Sequence, residues 1–271
     1  MIKYKRMQIK RLNLKKLNNT RDLGGLPAAD GKKIKHGKLI RSERLSDLPD
    51  CTVEDLKKLK ITTVVDLRIK TELEEHPDTI LEGTEYHILP LLCTATAGIT
   101  REKSMRKTMA KESRRIKTEF GSVDNYMIDM YKTILFNEQA QDALKSFINL
   151  VIKEEGCILW HCSGGKDRAG ICAMLIEALL GVSDEVIMQD YVASSRFQRK
   201  KYFWSKFGLI VAPLTASFKG ILFGMMTAKR IYMRATLDYL NEKYGSVINY
   251  CKQELGVTDK DIKILRQKYL E

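Results

Sequence analysis

The chain has few of the residues that stiffen or cross-link a polypeptide. Five prolines and 17 glycines among 271 residues exclude a collagenous or linker-like chain. No uninterrupted apolar run reaches the length of about 18 residues that a membrane-spanning helix needs. The N-terminal stretch MIKYKRMQIKRLNLKKL is basic. It lacks the apolar segment of a secretory signal, so a cytoplasmic protein is expected; secretion would require a signal removed ahead of Met1. The six cysteines and four histidines show no CxxC pair and no zinc spacing. Neither a metal site nor a disulfide framework is expected from them. Cys157 and Cys172 lie in apolar runs and read as buried thiols, in keeping with a reducing compartment.

Apolar residues make up 44% of the chain and aromatics 8%, enough for a core. Lysine and arginine (47) outnumber aspartate and glutamate (34), for a net charge of +13. That balance favours anionic partners: phosphorylated groups, acidic lipid head groups or nucleic acid. Short β-branched and apolar runs predict strands at 38–41, 62–67, 86–91 and 157–161. Helical patterns fall at 52–60, 123–154, 169–180 and 183–194, the last opened by Ser183 with Asp184 and Glu185 behind it. Strands separated by helices predict an α/β fold with a largely parallel sheet. One domain is expected over 1–271, with two interruptions. The first, 94–120, is polar and strongly basic and reads as a surface insertion. The second, 198–235, contains FGLIVAPLTASFKGILFGMM. It reads as a helical hairpin or lid, or as a patch for a membrane surface.

Chemistry concentrates in Trp160-His161-Cys162-Ser163-Gly164-Gly165-Lys166-Asp167-Arg168-Ala169-Gly170. A buried strand ends in His-Cys, a glycine-rich loop follows, and Arg168 opens an apolar helix. Successive backbone N–H groups in such a loop can converge on an anion. Gly164 and Gly165 remove the side chains that would obstruct this. The helix that follows turns its positive end to the same point. A cysteine in that field is expected as a thiolate, and the planar fork of Arg168 suits two phosphate oxygens. A nucleotide-binding P-loop is excluded, because Trp160 and Asp167 stand where it needs Gly and Ser or Thr. His36, His76 and His87 carry no signature of a cysteine protease base.

His-Cys-x5-Arg is the signature of the cysteine-dependent phosphatases. The fuller HCSGGKDRAG resembles that of the bacterial tyrosine phosphatases of the atypical dual- or triple-specificity group. Asn19-Thr20-Arg21-Asp22-Leu23-Gly24-Gly25, Leu39-Ile40-Arg41-Ser42-Glu43-Arg44-Leu45 and Val65-Asp66-Leu67-Arg68 are similar to further elements of that group. So are Tyr244-Gly245-Ser246 and Leu265-Arg266 near the end. The resemblance implies a phosphatase fold, a central sheet flanked by helices with a helical lid over the site. It implies Cys162 as nucleophile and Ser163, Gly164, Gly165, Lys166 and Arg168 as the phosphate cradle. His161 is expected to orient the loop and support the thiolate. Asp22 and Asp66 are expected to partner basic groups around the loop, with Arg21 and Arg68 as their pairs.

Two departures from the family pattern stand out. Leu89-Pro90-Leu91-Leu92-Cys93, where the family can carry a second aspartate, has no carboxylate. Asp167 is therefore expected to serve as general acid and then as base. Ala169 replaces the Ser or Thr whose hydroxyl assists the departing thiolate, so slow breakdown of the phosphocysteine is expected. Lys166 is a candidate for a second phosphate, and Tyr126, Tyr191 and Phe197 for the wall of an aromatic pocket. The function implied is hydrolysis of phosphotyrosine, with phosphoserine and phosphothreonine as further substrates. The alternatives are phosphoinositide hydrolysis, with weak contact to an anionic membrane, and a non-catalytic phosphate-binding adaptor. No nucleic-acid motif is present. No cofactor is implied, and the oligomeric state is left open.

Overall fold

The computed structural model describes residues 9–92, 113–199 and 216–271. Among the described residues five strands form one sheet: β1 (Arg21–Asp22), β2 (Leu39–Glu43), β3 (Ile61–Asp66), β4 (Glu85–Ile88) and β5 (Cys157–Cys162). Their spatial order is β1-β2-β5-β3-β4. Only β1 pairs antiparallel, against β2; β2, β5, β3 and β4 run parallel. The mostly parallel sheet with helices around it is the α/β architecture expected from the sequence. β5 is central, its six residues are buried, and its C-terminal end delivers Cys162.

Among the described residues the helices are α1 (Asp50–Lys57), α2 (Lys70–Glu75), α3 (Val123–Phe136), α4 (Glu138–Lys153), α5 (Arg168–Leu179), α6 (Asp184–Phe197), α7 (Ala216–Met226), α8 (Arg230–Tyr244), α9 (Val247–Leu255) and α10 (Asp259–Tyr269). The single helix expected at 123–154 is two. Asn137 ends the first and caps the second, its side chain accepting from the Ala140 N–H at 3.3 Å. Asparagine favours that role because its short side chain reaches the unpaired donors of a first turn. α6 runs past Ser194 to Phe197. β1, two residues long, carried no periodic signal. Residues 94–112 of the basic insertion and 200–215 of the expected lid lie outside the described residues. The rest of the lid segment holds α7, which packs on α3 and buries Ile221 and Met225.

Alternation along β5 sorts its side chains between two cores. Ile158, Trp160 and Cys162 join the larger core, which includes residues of α3 to α9. Cys157 and Leu159 join the smaller one, with Ile40, Val64 and Leu56. α5 is buried along all twelve residues, so it has no polar face and acts as the central post of the larger layer.

That layer encloses charge. Asp190 of α6 accepts from Arg21 Nε at 2.6 Å and from Arg41 Nη1 at 2.5 Å. Glu177 of α5 is fully buried beside this cluster, and neither of its carboxyl oxygens has a hydrogen-bond partner. Burial first, and then the Asp190 carboxylate, push the Glu177 carboxyl well above the usual range. Burial thus favours its protonated form in the folded protein. The unfolded chain releases that proton above about pH 4.3, so the folded state loses stability at this site as pH rises. Glu177→Gln is neutral at every pH. Its melting temperature relative to the parent is expected to climb between about pH 5 and pH 8. Thermal unfolding across that range checks it; a constant difference would contradict a neutral Glu177.

Candidate active site

The loop after β5 owes its shape to where its carbonyls point. Gly164 O accepts from Asn19 Nδ2 at 2.9 Å and from Gln198 Nε2 at 2.6 Å. Gly165 O and Lys166 O both accept from Arg41 Nη2, at 2.9 and 3.2 Å. In a trans peptide the C=O and the next N–H point opposite ways, and no cis peptide is present among the described residues. Holding these three carbonyls therefore turns the N–H groups of Gly165, Lys166 and Asp167 away from the anchoring side chains. Gly165 makes the turn possible. Its φ is +63°, and a Cβ there would lie 2.5 Å from Ser42 O. Cys162, the last residue of β5, is 2% exposed.

Arg168, the first residue of α5, is fully buried. Its Nη1 donates to Glu72 Oε2 at 2.7 Å and its Nη2 to Glu72 Oε1 at 2.9 Å; Nη1 also lies 3.2 Å from Leu67 O. The fork that the sequence assigned to phosphate oxygens is thus engaged by a carboxylate of α2. Burial opposes the guanidinium charge, but Glu72 and then Cys162 outweigh it and raise its pKa. Burial likewise opposes the Glu72 charge, and Arg168 together with the Ser163 hydroxyl holds that carboxyl below its usual range. Ser163 Oγ donates to Glu72 Oε1, so its hydroxyl braces the Arg168 clamp.

Asp167 precedes α5 at the position where aspartate normally caps a helix, yet its side chain makes no cap hydrogen bond. Its Oδ1 instead accepts from Tyr131 Oη at 2.6 Å, and that hydroxyl lies 2.6 Å from Tyr191 Oη. Lys166 is fully buried. Its Nζ donates to Met225 O, at the C-terminal end of α7, at 2.6 Å and lies 3.4 Å from Asp167 Oδ2. The ammonium assigned to a second phosphate is therefore occupied by a helix end in this structure, an arrangement that the helix dipole favours.

Two expected supports are placed elsewhere. Asp22 does not reach the loop. Its carboxylate accepts from the Gly24 and Gly37 N–H groups at 2.9 and 2.8 Å and lies 3.2 Å from His36 Nδ1. It also lines a cavity of about 310 Å³ with Lys10, Arg11 and Asp190. Arg21 pairs with Asp190 rather than with its neighbour Asp22, because adjacent residues of a strand face opposite ways. His161 likewise faces away from Cys162. Its Nε2 lies 2.8 Å from Asp78 Oδ2 and its Nδ1 3.8 Å from Asp66 Oδ1. Burial disfavours the imidazolium, but Asp66 and Asp78 outweigh it and raise the His161 pKa. Arg68 pairs with Asp66 as expected, at 2.5 Å, and also with Asp78 at 2.8 Å. Its guanidinium contacts both carboxylates of the Asp66–Asp78–His161 group, whose ligand atoms lie within 4.8 Å of one another.

Of the three aromatic candidates, Tyr191 reaches the loop, through Tyr131. Tyr126 packs edge-on to Phe120 at 5.2 Å, and the Arg21 guanidinium lies 5.6 Å from the centroid of the Phe197 ring. Reading the sequence missed Glu72, Asp78, Tyr131, Asp190 and Gln198. The available signal was weak: Asp190 interrupts an apolar helical pattern, and Glu72 follows Arg68 by one helical turn.

A sequence profile described as Tyrosine phosphatase family matches residues 12–271. A protein of Cupriavidus necator whose name places it among the tyrosine-protein phosphatases is 29% identical over 259 residues, 94% of this chain and 86% of that one. The triple specificity protein phosphatase PtpB of Mycobacterium tuberculosis is 26% identical over 267 residues, 92% of this chain and 95% of its own. A tyrosine-protein phosphatase of Nostoc commune is 25% identical over 171 residues, 63% of this chain and 53% of its own.

Glu72 holds the buried Arg168 from both sides of its fork. Glu72→Ala leaves that cation without its carboxylate. A loss of about 3–5 kcal/mol in unfolding free energy is expected, read by denaturant titration. A change under about 1 kcal/mol, the range of exposed pairs, would contradict the clamp.

Proposed function

The chain belongs to the tyrosine phosphatase family, a family of protein phosphatases, and from that premise we propose how it acts and on what. Its substrates are phosphotyrosine proteins, with phosphoserine and phosphothreonine accepted as well, and its intermediate is a phosphocysteine on Cys162. The observation that carries this is the outward anchoring of the Gly164, Gly165 and Lys166 carbonyls. It builds a nest of N–H groups at the N-terminus of α5, where phosphate is favoured by both donors and dipole.

In the first step Cys162 Sγ attacks phosphorus, and an S–P bond forms as the bond to the phenolic oxygen breaks. Asp167, protonated, gives its proton to that departing oxygen. The inward N–H groups and Arg168, oriented by Glu72, take the charge of the equatorial oxygens. In the second step water attacks phosphorus and passes a proton to the Asp167 carboxylate. The S–P bond breaks and the thiolate returns. No hydroxyl from residue 169 assists that departure, and Ser163, turned to Glu72, offers no substitute. The phosphoenzyme of this reading is slow to break down. Cys162 is buried, and Lys166 holds the end of α7. α7 belongs to the lid in this reading. Its departure admits substrate and releases the Lys166 ammonium toward the phosphate.

The same chemistry on phosphoinositides is a second reading, favoured by the net charge of +13 and by a lysine inside the loop. A basic surface gains about 1 kcal/mol per lysine or arginine near an anionic membrane. Comparing phosphotyrosine peptides with phosphoinositides in anionic vesicles separates the two.

Hydrolysis of a small aryl phosphate tests catalyst against binder. Cys162→Ser is expected to lower turnover by about three orders of magnitude or more, and a chelator to leave the parent enzyme unaffected. Comparable turnover in Cys162→Ser, or loss of activity with chelator, would contradict the thiolate mechanism.

A further inference from the structure

Resting on the reading of Asp167 as general acid, we infer that Tyr131 is a positioning residue for the reaction: its hydroxyl, itself held by Tyr191, fixes Asp167 Oδ1 and leaves Oδ2 as the oxygen that exchanges the proton. The direction of the hydrogen bonds follows from counting hydrogens. An aspartate carboxylate only accepts, so the single Tyr131 hydrogen goes to Oδ1, at 2.6 Å. The contact between the two phenols, also 2.6 Å, then needs the Tyr191 hydrogen. Protonation of Asp167 on Oδ2 leaves Oδ1 an acceptor, so the Tyr131 bond survives in both states of the acid.

Several observations separate this arrangement from ordinary core packing. Tyr131, Tyr191 and Asp167 come from α3, α6 and the loop, and all three are buried. The two rings meet edge-on, centroids 6.1 Å apart at 88°, and Tyr232 of α8 packs against Tyr131 at 6.2 Å. The phenols therefore have fixed places. Burial, and then the Asp167 charge, push Tyr131 well above the usual phenol range; burial does the same to Tyr191. Both remain donors at working pH. Asp167 gives up the cap position that its place before α5 offers, and its side chain is turned to Tyr131 instead. Its other oxygen lies beside the Lys166 ammonium, 3.4 Å away.

A general acid matters most when the leaving oxygen is a strong base. The test compares kcat/KM, which reports the step in which the phenol departs even where the second step limits kcat, on p-nitrophenyl phosphate, a good leaving group, and on phenyl phosphate, a poor one. Tyr131→Phe is expected to lower kcat/KM about tenfold or more on phenyl phosphate, with a smaller loss on p-nitrophenyl phosphate and unchanged inhibition by inorganic phosphate. Asp167→Asn is expected to show the same split at larger amplitude, and the double variant to match Asp167→Asn alone. An equal loss on both substrates in Tyr131→Phe, or a further loss in the Asp167→Asn background, would overturn the inference. Asp167→Asn showing no split would overturn the acid assignment and the inference with it; a split in Asp167→Asn alone overturns only the role of Tyr131. Should Tyr131→Phe not fold, Tyr191→Phe carries the comparison, with a split of the same sign in support and an equal loss against.

Discussion

Everything at this site depends on three loop carbonyls being pulled away from the centre they surround. A peptide plane is rigid, so an anchored C=O is also an aimed N–H. Asn19, Gln198 and Arg41 do the anchoring. Arg41 is in turn held by Asp190, which also binds Arg21, and Arg21 Nη1 donates to Asn19 Oδ1 at 2.7 Å. One buried carboxylate on α6 thereby sets two of the three anchors. The β1–β2 hairpin matters for the same reason: it brings Asn19, Arg21 and Arg41 to one side of the loop.

The charges around the nest are expensive to bury. Among the described residues, each of the four fully buried arginines, Arg21, Arg41, Arg68 and Arg168, touches at least one carboxylate. Such pairs contribute little net stability, because desolvation offsets most of their attraction. What they contribute here is direction. With the guanidinium groups matched, an incoming dianion meets a set of fixed donors and a helix N-terminus, which need no rearrangement as charge develops. Glu177, beside Asp190 and without a hydrogen-bond partner for either oxygen, shows the other solution to burial: its surroundings favour the protonated acid.

Much of this was legible in the sequence wherever the information is local. The four parallel strands followed from β-branched and apolar runs, and the loop from glycines between a strand and a helix. Asp66 and Arg68 stand two residues apart and pair, as period-two geometry allows. The same geometry defeats pairing between Arg21 and Asp22, and it parts His161 from Cys162. The expected Arg21–Asp22 pair fails on that alternation, and Arg21 turns to Asp190. The remaining partners lie far along the chain. Glu72 meets Arg168 across 96 residues, Arg41 meets Asp190 across 149, and Tyr131 meets Asp167 across 36. No local pattern encodes such distances; they are set by how α2, α3 and α6 pack against the sheet. The helix break at Asn137 was missed because an apolar periodicity continues through it, while the capping side chain decides the backbone.

The most direct measurement is a crystal structure with vanadate, a mimic of phosphorus under attack. The metal centre should be bonded to Cys162 Sγ, with its equatorial oxygens on the N–H groups of Gly165, Lys166 and Asp167 and on Arg168. Vanadate seated elsewhere, or facing a loop whose carbonyls rather than N–H groups point inward, would contradict the aimed-amide nest.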